Sequence, residues 1–71
     1  MNYERVTSSN IAAIAYDDSS STLGVKFNSG SEYHYFSVPR SVFDAFRRAP
    51  SKGQFFDTEV KKKPYRYQQI S

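Results

Sequence analysis

The sequence predicts a single α+β domain, residues 1–71, in which two helices pack on one face of a small antiparallel sheet. Two short segments alternate apolar and polar residues on either side of a glycine turn, which is typical of a β-hairpin. Two later segments space their apolar residues as helices do, and each is bounded by proline. The C-terminal "YRYQQI" alternates again, so the predicted sheet is a three-strand meander plus a C-terminal strand.

The core of this domain must come from aromatic and aliphatic side chains. The chain has 71 residues, no cysteine and no tryptophan, but six phenylalanines and six tyrosines. A domain of this size buries only about 60% of the surface that its unfolded chain exposes, and each aromatic side chain can bury roughly 150–250 Å². We therefore expect a structural aromatic core of Phe27, Tyr33, Tyr35, Phe46 and Phe56.

Two strands are predicted before the glycine turn. The segment "IAAIAY" alternates, and "LGVKF" alternates more regularly. The polar run "DDSSST" between them has the composition of a loop. We expect the following residues on the apolar face of the sheet: Ala12, Ile14, Tyr16, Leu23, Val25 and Phe27.

The turn "NSG", residues 28–30, fixes the register of the hairpin. A three-residue loop with glycine in the left-handed position pairs Phe27 with Ser31 and places Lys26 opposite Glu32. A loop one residue longer loses this charge pair and the match between apolar residues. The favoured register puts Val25 beside Tyr33 and Leu23 beside Tyr35 on the apolar face, and Gly24 beside His34 and Thr22 beside Phe36 on the other.

Two helices are predicted between the hairpin and the last strand. The first begins between residues 38 and 42, because Pro39 suits a first helical turn and Ser41–Asp44 forms a capping-box pattern. Pro50 ends it. The second begins in the capping-box pattern Ser51–Gln54 and ends before Pro64. Their apolar positions are Val42, Phe43, Phe46, Ala49, Phe56 and Val60.

Several segments, taken in order, resemble one family. They are "VTSS" (residues 6–9), "LGVKF", "YHY" followed by "VP", and "VFDAFRRAPSKGQFF" (residues 42–56). In order and spacing they are similar to the KTSC domain, which is named for its occurrence at the C-terminus of some lysyl-tRNA synthetases. The resemblance spans nearly the whole chain. It implies a stand-alone bacterial or phage protein without an established activity, and the synthetase context suggests RNA binding.

Basic residues concentrate in the second half of the chain. The net charge is +3; residues 1–39 carry two cations and four carboxylates, whereas residues 40–71 carry eight cations and three carboxylates. This balance favours a polyanionic partner. The segment "KKKPYRYQQ" interleaves cations with aromatic rings, a pattern typical of proteins that bind single-stranded nucleic acid. The candidate nucleic-acid-binding residues are Lys61, Lys62, Lys63, Tyr65, Arg66, Tyr67, Arg47 and Arg48.

A purely structural interpretation of the same residues stays open. The lysines at 61–63 complement the dipole of a helix C-terminus, and charged residues protect an edge strand from aggregation. Arg47 and Arg48 also fit an ordinary solvated helix face, because Asp44 partly neutralises them. Tyr33 and Tyr35 could stack on bases, but the hairpin register favours their packing in the core.

The alternative partner is another protein. His34 and Phe36 are predicted on the sheet face away from the helices, where the core does not need them. An exposed patch there, together with the sheet edge, suits a protein-interaction module or a phage-encoded modulator of a host protein. The sequence therefore leaves two hypotheses, a module that binds RNA or single-stranded nucleic acid and a module that binds a protein partner.

The inventory of residue types argues against an enzyme. One histidine, no cysteine and no Gly-x-Ser-x-Gly motif provide no recognisable pair of nucleophile and base. Three scattered glycines form no phosphate-binding loop, and a metal site would need His34 plus carboxylates from separated loops. We expect no cofactor, no metal, no signal peptide and no membrane segment, and hence a soluble, cytoplasmic protein.

Overall fold

The computed structural model describes all 71 residues and has the predicted α+β class. Its elements are β1 (Glu4–Arg5), β2 (Ile11–Asp17), β3 (Thr22–Phe27), β4 (Glu32–Tyr35), α1 (Arg40–Arg48), α2 (Lys52–Phe56), a π-helical turn (Asp57–Lys61) and β5 (Tyr67–Gln69). The strands form one antiparallel sheet in the order β1-β2-β3-β4-β5, so each pairs with its neighbours in sequence. Neither helix is long and apolar enough to cross a membrane.

The sheet has one strand more than the sequence predicts. β1 contains only two residues and pairs with β2, with Glu4 opposite Ile14 and Arg5 opposite Ala13. Both residues of β1 are exposed, so no apolar alternation marks this strand in the sequence. The last strand is present but shorter than the alternating segment that predicts it, because only Tyr67–Gln69 forms β5.

The hairpin of β3 and β4 has the predicted register. Gly30 adopts a φ of 100°, a left-handed conformation that glycine takes at no steric cost. The backbone N–H of Phe27 donates to the carbonyl of Ser31 at 2.8 Å, which closes the three-residue loop. The pairs beyond it are Lys26–Glu32, Val25–Tyr33, Gly24–His34 and Leu23–Tyr35.

A β-bulge in β2 changes one predicted orientation. Ile11 pairs with Phe27 whereas Ala13 pairs with Lys26, so the intervening Ala12 has no partner across the ladder. Ile11 is fully buried and takes the core position that the alternation assigns to Ala12. The prediction for Ala12 is therefore wrong, because strict alternation cannot anticipate an extra residue in the strand.

Both helices begin near the predicted positions, but only the second uses its capping box. α1 begins at Arg40 after Pro39, which is extended at φ −61° and ψ 144°, and no side chain caps the helix. Ser41 lies inside α1, since the fixed φ of Pro39 already sets the start. The hydroxyl of Ser51 accepts a hydrogen bond from the backbone N–H of Gln54 at 3.3 Å and caps α2 as predicted.

The core lies between the sheet and the two helices. Phe46 of α1 is fully buried, and its ring stacks on Phe55 of α2 with 5.0 Å between centroids. Tyr16 of β2 stacks on Phe43 of α1 at 5.4 Å, which fastens α1 to the sheet. The buried cluster contains Ile11, Ile14, Leu23, Val25, Tyr35, Val38, Phe43, Phe46, Phe56 and Val60.

Candidate nucleic-acid interface

A groove of about 800 Å³ opens between the sheet at β4 and β5 and the π-helical turn. A volume of this size falls within the range of roughly 300–1,000 Å³ that small-ligand sites occupy. The loop of the β3–β4 hairpin forms a further wall. The floor is aromatic and consists of Phe27, Tyr33, Tyr35, Phe56, Tyr65 and Tyr67.

Strand pairing places the aromatic rings of the floor against one another. Tyr35 and Tyr67 are direct partners across β4 and β5, and their ring centroids are 5.6 Å apart. Tyr33 lies 6.0 Å from Tyr67 and 5.9 Å from Phe27. Phe56 of α2 packs edge-on against Tyr35 at 5.8 Å and joins the floor to the core. Five of the six floor rings therefore form one continuous aromatic cluster, and Tyr65 packs against the core.

The exposure of these rings increases from the core towards the free edge of the sheet. Tyr35 is buried, with 7% of its surface exposed, whereas Tyr67 is 63% exposed. Tyr33, Tyr65 and Phe27 are half-buried and pack against the core cluster. The aromatic core thus continues to the surface at this groove, where solvent or a ligand can reach the rings.

Burial keeps the hydroxyl at the centre of the floor protonated. It raises the pKa of Tyr35 to about 12, with further contributions from the neighbouring hydroxyls of Tyr33 and Tyr67. The Tyr33 hydroxyl donates a hydrogen bond to Oε1 of Gln69 at 3.3 Å. At neutral pH the Tyr35 hydroxyl at the centre of the floor is therefore uncharged.

The end of the π-helical turn and the residues just after it supply the positively charged wall. Lys61 and Lys63 line the groove, and Lys62, between them, does not. Lys63 forms an exposed ion pair with Glu59 at 3.8 Å, whereas Lys61 has no ion-pair partner. Asp57 also lines the groove, so this wall carries two cations and one carboxylate. π-helical turns are rare and occur frequently at functional sites.

Besides Lys62, three of the predicted basic residues are not part of the groove lining. Arg47 of α1 pairs with Glu4 at 3.1 Å, with its guanidinium 5.5 Å from the centroid of the Phe43 ring. Arg48 is exposed on the same helix, and neither arginine lines the groove. Arg66 lies between two groove tyrosines in the chain, but its side chain is not part of the lining. The structure therefore brings together the following predicted residues: Lys61, Lys63, Tyr65 and Tyr67.

The opposite face of the sheet is partly covered by the N-terminal segment. The hydroxyl of Tyr3 donates to Oε2 of Glu32 at 2.7 Å and lies 3.4 Å from Nε2 of His34. Lys26 lies 4.2 Å above the Tyr3 ring. The hydrogen bond from Tyr3 lowers the pKa of Glu32, and burial raises the pKa of Tyr3. His34 is thus already engaged within the chain.

Close approach explains why glycine occupies the strand beneath Tyr3. A Cβ at Gly24 would collide with the Tyr3 hydroxyl, which lies directly over the backbone of β3. Phe36, the other residue predicted on this face, is half-buried, and its backbone N–H donates to the carbonyl of Arg66 at 2.9 Å. No group of three or more acidic or histidine side chains is placed to hold a metal ion.

Comparison with known proteins agrees with the resemblance seen in the sequence. Residues 7–67 match the KTSC domain family over most of the chain. The chain belongs to the KTSC domain family. All residues that line the groove lie within the matched range, whereas β1 and Tyr3 lie before it.

The relatives of this KTSC domain include both long and short proteins. The chain is 43% identical over 61 residues to a lysine–tRNA ligase of Nostoc punctiforme and 45% identical over 56 residues to that of Trichormus variabilis. It spans only 11% and 10% of the length of these ligases. A protein of Tsukamurella paurometabola is 41% identical, and the match covers 84% of it.

A solved structure has the same fold. The crystal structure of a KTSC domain protein from Yersinia pestis superposes with a TM-score of 0.91 at 35% sequence identity. The match covers 99% of this chain and 97% of the Yersinia chain. The five-stranded sheet with its two helices is therefore a fold that this chain shares with the Yersinia KTSC domain protein.

Proposed function

We propose that this KTSC domain binds single-stranded nucleic acid, and RNA in particular, in the aromatic groove. The observation that carries the proposal is the position of Tyr67, whose exposed ring contacts Tyr33 and Tyr35 beside the wall formed by Lys61 and Lys63. Aromatic rings stack on unpaired bases, and lysines neutralise phosphates. The choice of RNA is supported by the relatives, which are lysine–tRNA ligases.

The ring geometry favours stacking on the outer side of Tyr67. The rings of Tyr33 and Tyr67 are inclined by 51° with centroids 6.0 Å apart. A base inserted between two rings needs about 6.8 Å, twice the stacking rise of ~3.4 Å, so these two rings cannot sandwich one. The exposed face of Tyr67 offers the free platform. A base must be unpaired and unstacked to place its face on this ring, which favours a single strand over a duplex.

A protein partner on the opposite sheet face has less support. His34 there interacts with Tyr3 and Glu32, and Phe36 is half-buried, so the face offers no cluster of exposed apolar side chains comparable to the groove. Protein-interaction sites usually present such a cluster. The groove is therefore the surface that we assign to the ligand.

The salt dependence of binding tests the role of the lysine wall. We expect a labelled oligouridine of about eight nucleotides, a typical site size for small single-strand binders, to bind with an affinity that falls as salt rises. Each phosphate neutralised on a single strand contributes about 0.7 to the logarithmic salt slope. The double variant K61A/K63A should therefore reduce the slope by about 1.4 between roughly 50 and 200 mM salt. Fluorescence anisotropy measures both quantities.

The matched control removes the same charge elsewhere. In the variant R48A/K62A two exposed cations outside the groove are lost, and the net charge falls by the same amount as in K61A/K63A. The slope of this control should stay close to that of the parent protein. An equal fall in slope for both double variants would contradict a specific lysine wall and indicate attraction by overall charge alone.

A further inference from the structure

The hairpin loop presents a fixed polar group to the groove. Asn28 lines the groove directly after Phe27 of the aromatic floor. Its backbone N–H donates to the carbonyl of Asn10 at 2.9 Å, and its side-chain Nδ2 donates to the carbonyl of Ser8 at 3.2 Å. Two hydrogen bonds thus hold the Asn28 backbone and amide against a neighbouring loop. Because the side chain is already ordered, a ligand contact with it has a smaller entropic cost.

The loop that receives these bonds is itself ordered by a hydrogen-bond network. The Ser8 hydroxyl accepts from the backbone N–H groups of Asn10 and Ile11 at 3.4 and 3.3 Å. It also donates to Oδ1 of Asn10 at 3.2 Å. Ile11 is fully buried, so the network is anchored in the core. The Asn28 amide therefore has a support that does not depend on the ligand.

The bonds to Ser8 and Asn10 leave part of the Asn28 amide free. A side-chain amide has two N–H donors and one carbonyl acceptor. The Asn28 side chain makes one hydrogen bond within the chain, so one N–H and the oxygen Oδ1 have no partner there. This donor and acceptor match the N7 acceptor and the N6 amino donor of adenine, the edge that asparagine contacts most characteristically.

The groups that could bind the phosphate and the base of a nucleotide lie on different walls of the groove. Lys61 at the end of the π-helical turn and Lys63 just after it lie on one wall, whereas Asn28 lies on the hairpin loop, with the aromatic floor between the two walls. A nucleotide in the groove can direct its phosphate towards the lysines and its edge towards Asn28. The arrangement gives a bound nucleotide a defined orientation, with its phosphate at one wall and its base edge at the other.

We propose that Asn28 reads the edge of the base in the groove, so that the preferred ligand is a single strand that carries adenine. This inference rests on the proposed function, because it concerns the same groove. Stacking alone also favours a purine over a pyrimidine, so a comparison of adenine with uracil would not test it. The test needs two purines that stack alike and differ in the amino group.

The experiment compares oligoadenylate with an oligomer of purine riboside, which lacks the N6 amino group, by fluorescence anisotropy. We expect the parent protein to bind oligoadenylate at least about fivefold more tightly, the lower end of what one bidentate base contact provides. Asn28→Ala should abolish this preference, since the amide is removed. Asn2→Ala, which removes an exposed asparagine outside the groove, should keep it.

The outcomes separate this inference from the proposed function. Equal binding of the two oligomers by the parent protein, with a salt slope that still depends on Lys61 and Lys63, overturns the role of Asn28 and leaves the proposed function intact. Retention of the preference in Asn28→Ala also overturns it. Failure of every oligomer to bind refutes both. The comparison of oligomers on the parent protein decides the matter even when Asn28→Ala does not fold.

Discussion

Phe46→Ala lowers the free energy of unfolding by about 3–5 kcal/mol, the usual cost of removing a buried phenylalanine ring. Phe46 is fully buried and its ring stacks on Phe55, so its loss leaves a cavity at the junction of the two helices. Domains of this length have a total stability of roughly 4–11 kcal/mol, so the substitution removes a large part of it. Urea denaturation followed by circular dichroism measures the change.

A second phenylalanine provides the control for this substitution. Phe36 is half-buried and lies outside the buried cluster. Phe36→Ala should therefore cost much less than Phe46→Ala in the same urea experiment, because fewer contacts are lost and solvent already reaches the ring. A loss below about 1 kcal/mol for Phe46→Ala would contradict the assignment of this residue to the centre of the core.

Tyr67→Ala weakens binding of a single strand by about 5- to 150-fold, which corresponds to the ~1–3 kcal/mol that one stacked base contributes. The expected effect is large because Tyr67 is the most exposed ring of the floor and contacts both Tyr33 and Tyr35. Stability should change little, since the side chain is 63% exposed. Anisotropy with oligouridine gives the affinity, and urea denaturation checks the fold.

Two matched variants show whether the ring itself is responsible. Tyr67→Phe keeps the aromatic face and should keep the affinity, since the Tyr67 hydroxyl has no hydrogen-bond partner in the chain. Ile70→Ala removes an exposed apolar side chain just beyond β5 that does not line the groove, and it should leave binding unchanged. Equal losses in Tyr67→Ala and Ile70→Ala would mean that the strand end, and not the ring, determines the affinity.

Short-range chemistry explains which parts of the fold the sequence predicts correctly. The hairpin register follows from Gly30, because a three-residue loop with one left-handed residue allows few alternatives. The start of α2 follows from Ser51, whose hydroxyl caps the helix within three residues. The family resemblance adds the order of these elements. Each of these features depends on residues that are close in the chain.

Features that depend on distant contacts escape sequence reasoning. The bulge at Ala12 and the two-residue strand β1 have no local signal. The groove depends on how far the helices extend over the sheet and on the pairing of Tyr35 with Tyr67, which lie in separate segments of the chain. Reasoning from the hairpin alone divides the tyrosines into a core pair and a C-terminal pair, whereas β5 brings Tyr67 of the second pair into contact with the first.

The wall formed by the hairpin loop, with Asn28, is the part of the site that sequence reasoning missed entirely. In the sequence Asn28 is typical of a turn, and its position beside Phe27 and Ser29 indicates no binding role. Its role in the groove depends on a hydrogen bond to Ser8, twenty residues earlier in the chain. Only a prediction of how β5 pairs with β4, added to the hairpin register, could have indicated that the hairpin loop and the C-terminal lysines line the same groove.

The spectra of the tyrosine rings test the central claim most directly. The six tyrosines divide into four that line the groove and two, Tyr3 and Tyr16, that do not. In aromatic ¹H–¹³C spectra, titration with oligouridine should shift the ring signals of Tyr33, Tyr35, Tyr65 and Tyr67 and leave those of Tyr3 and Tyr16 in place. Shifts confined to Tyr3, on the opposite face of the sheet, or no shifts at all, would contradict binding in the aromatic groove.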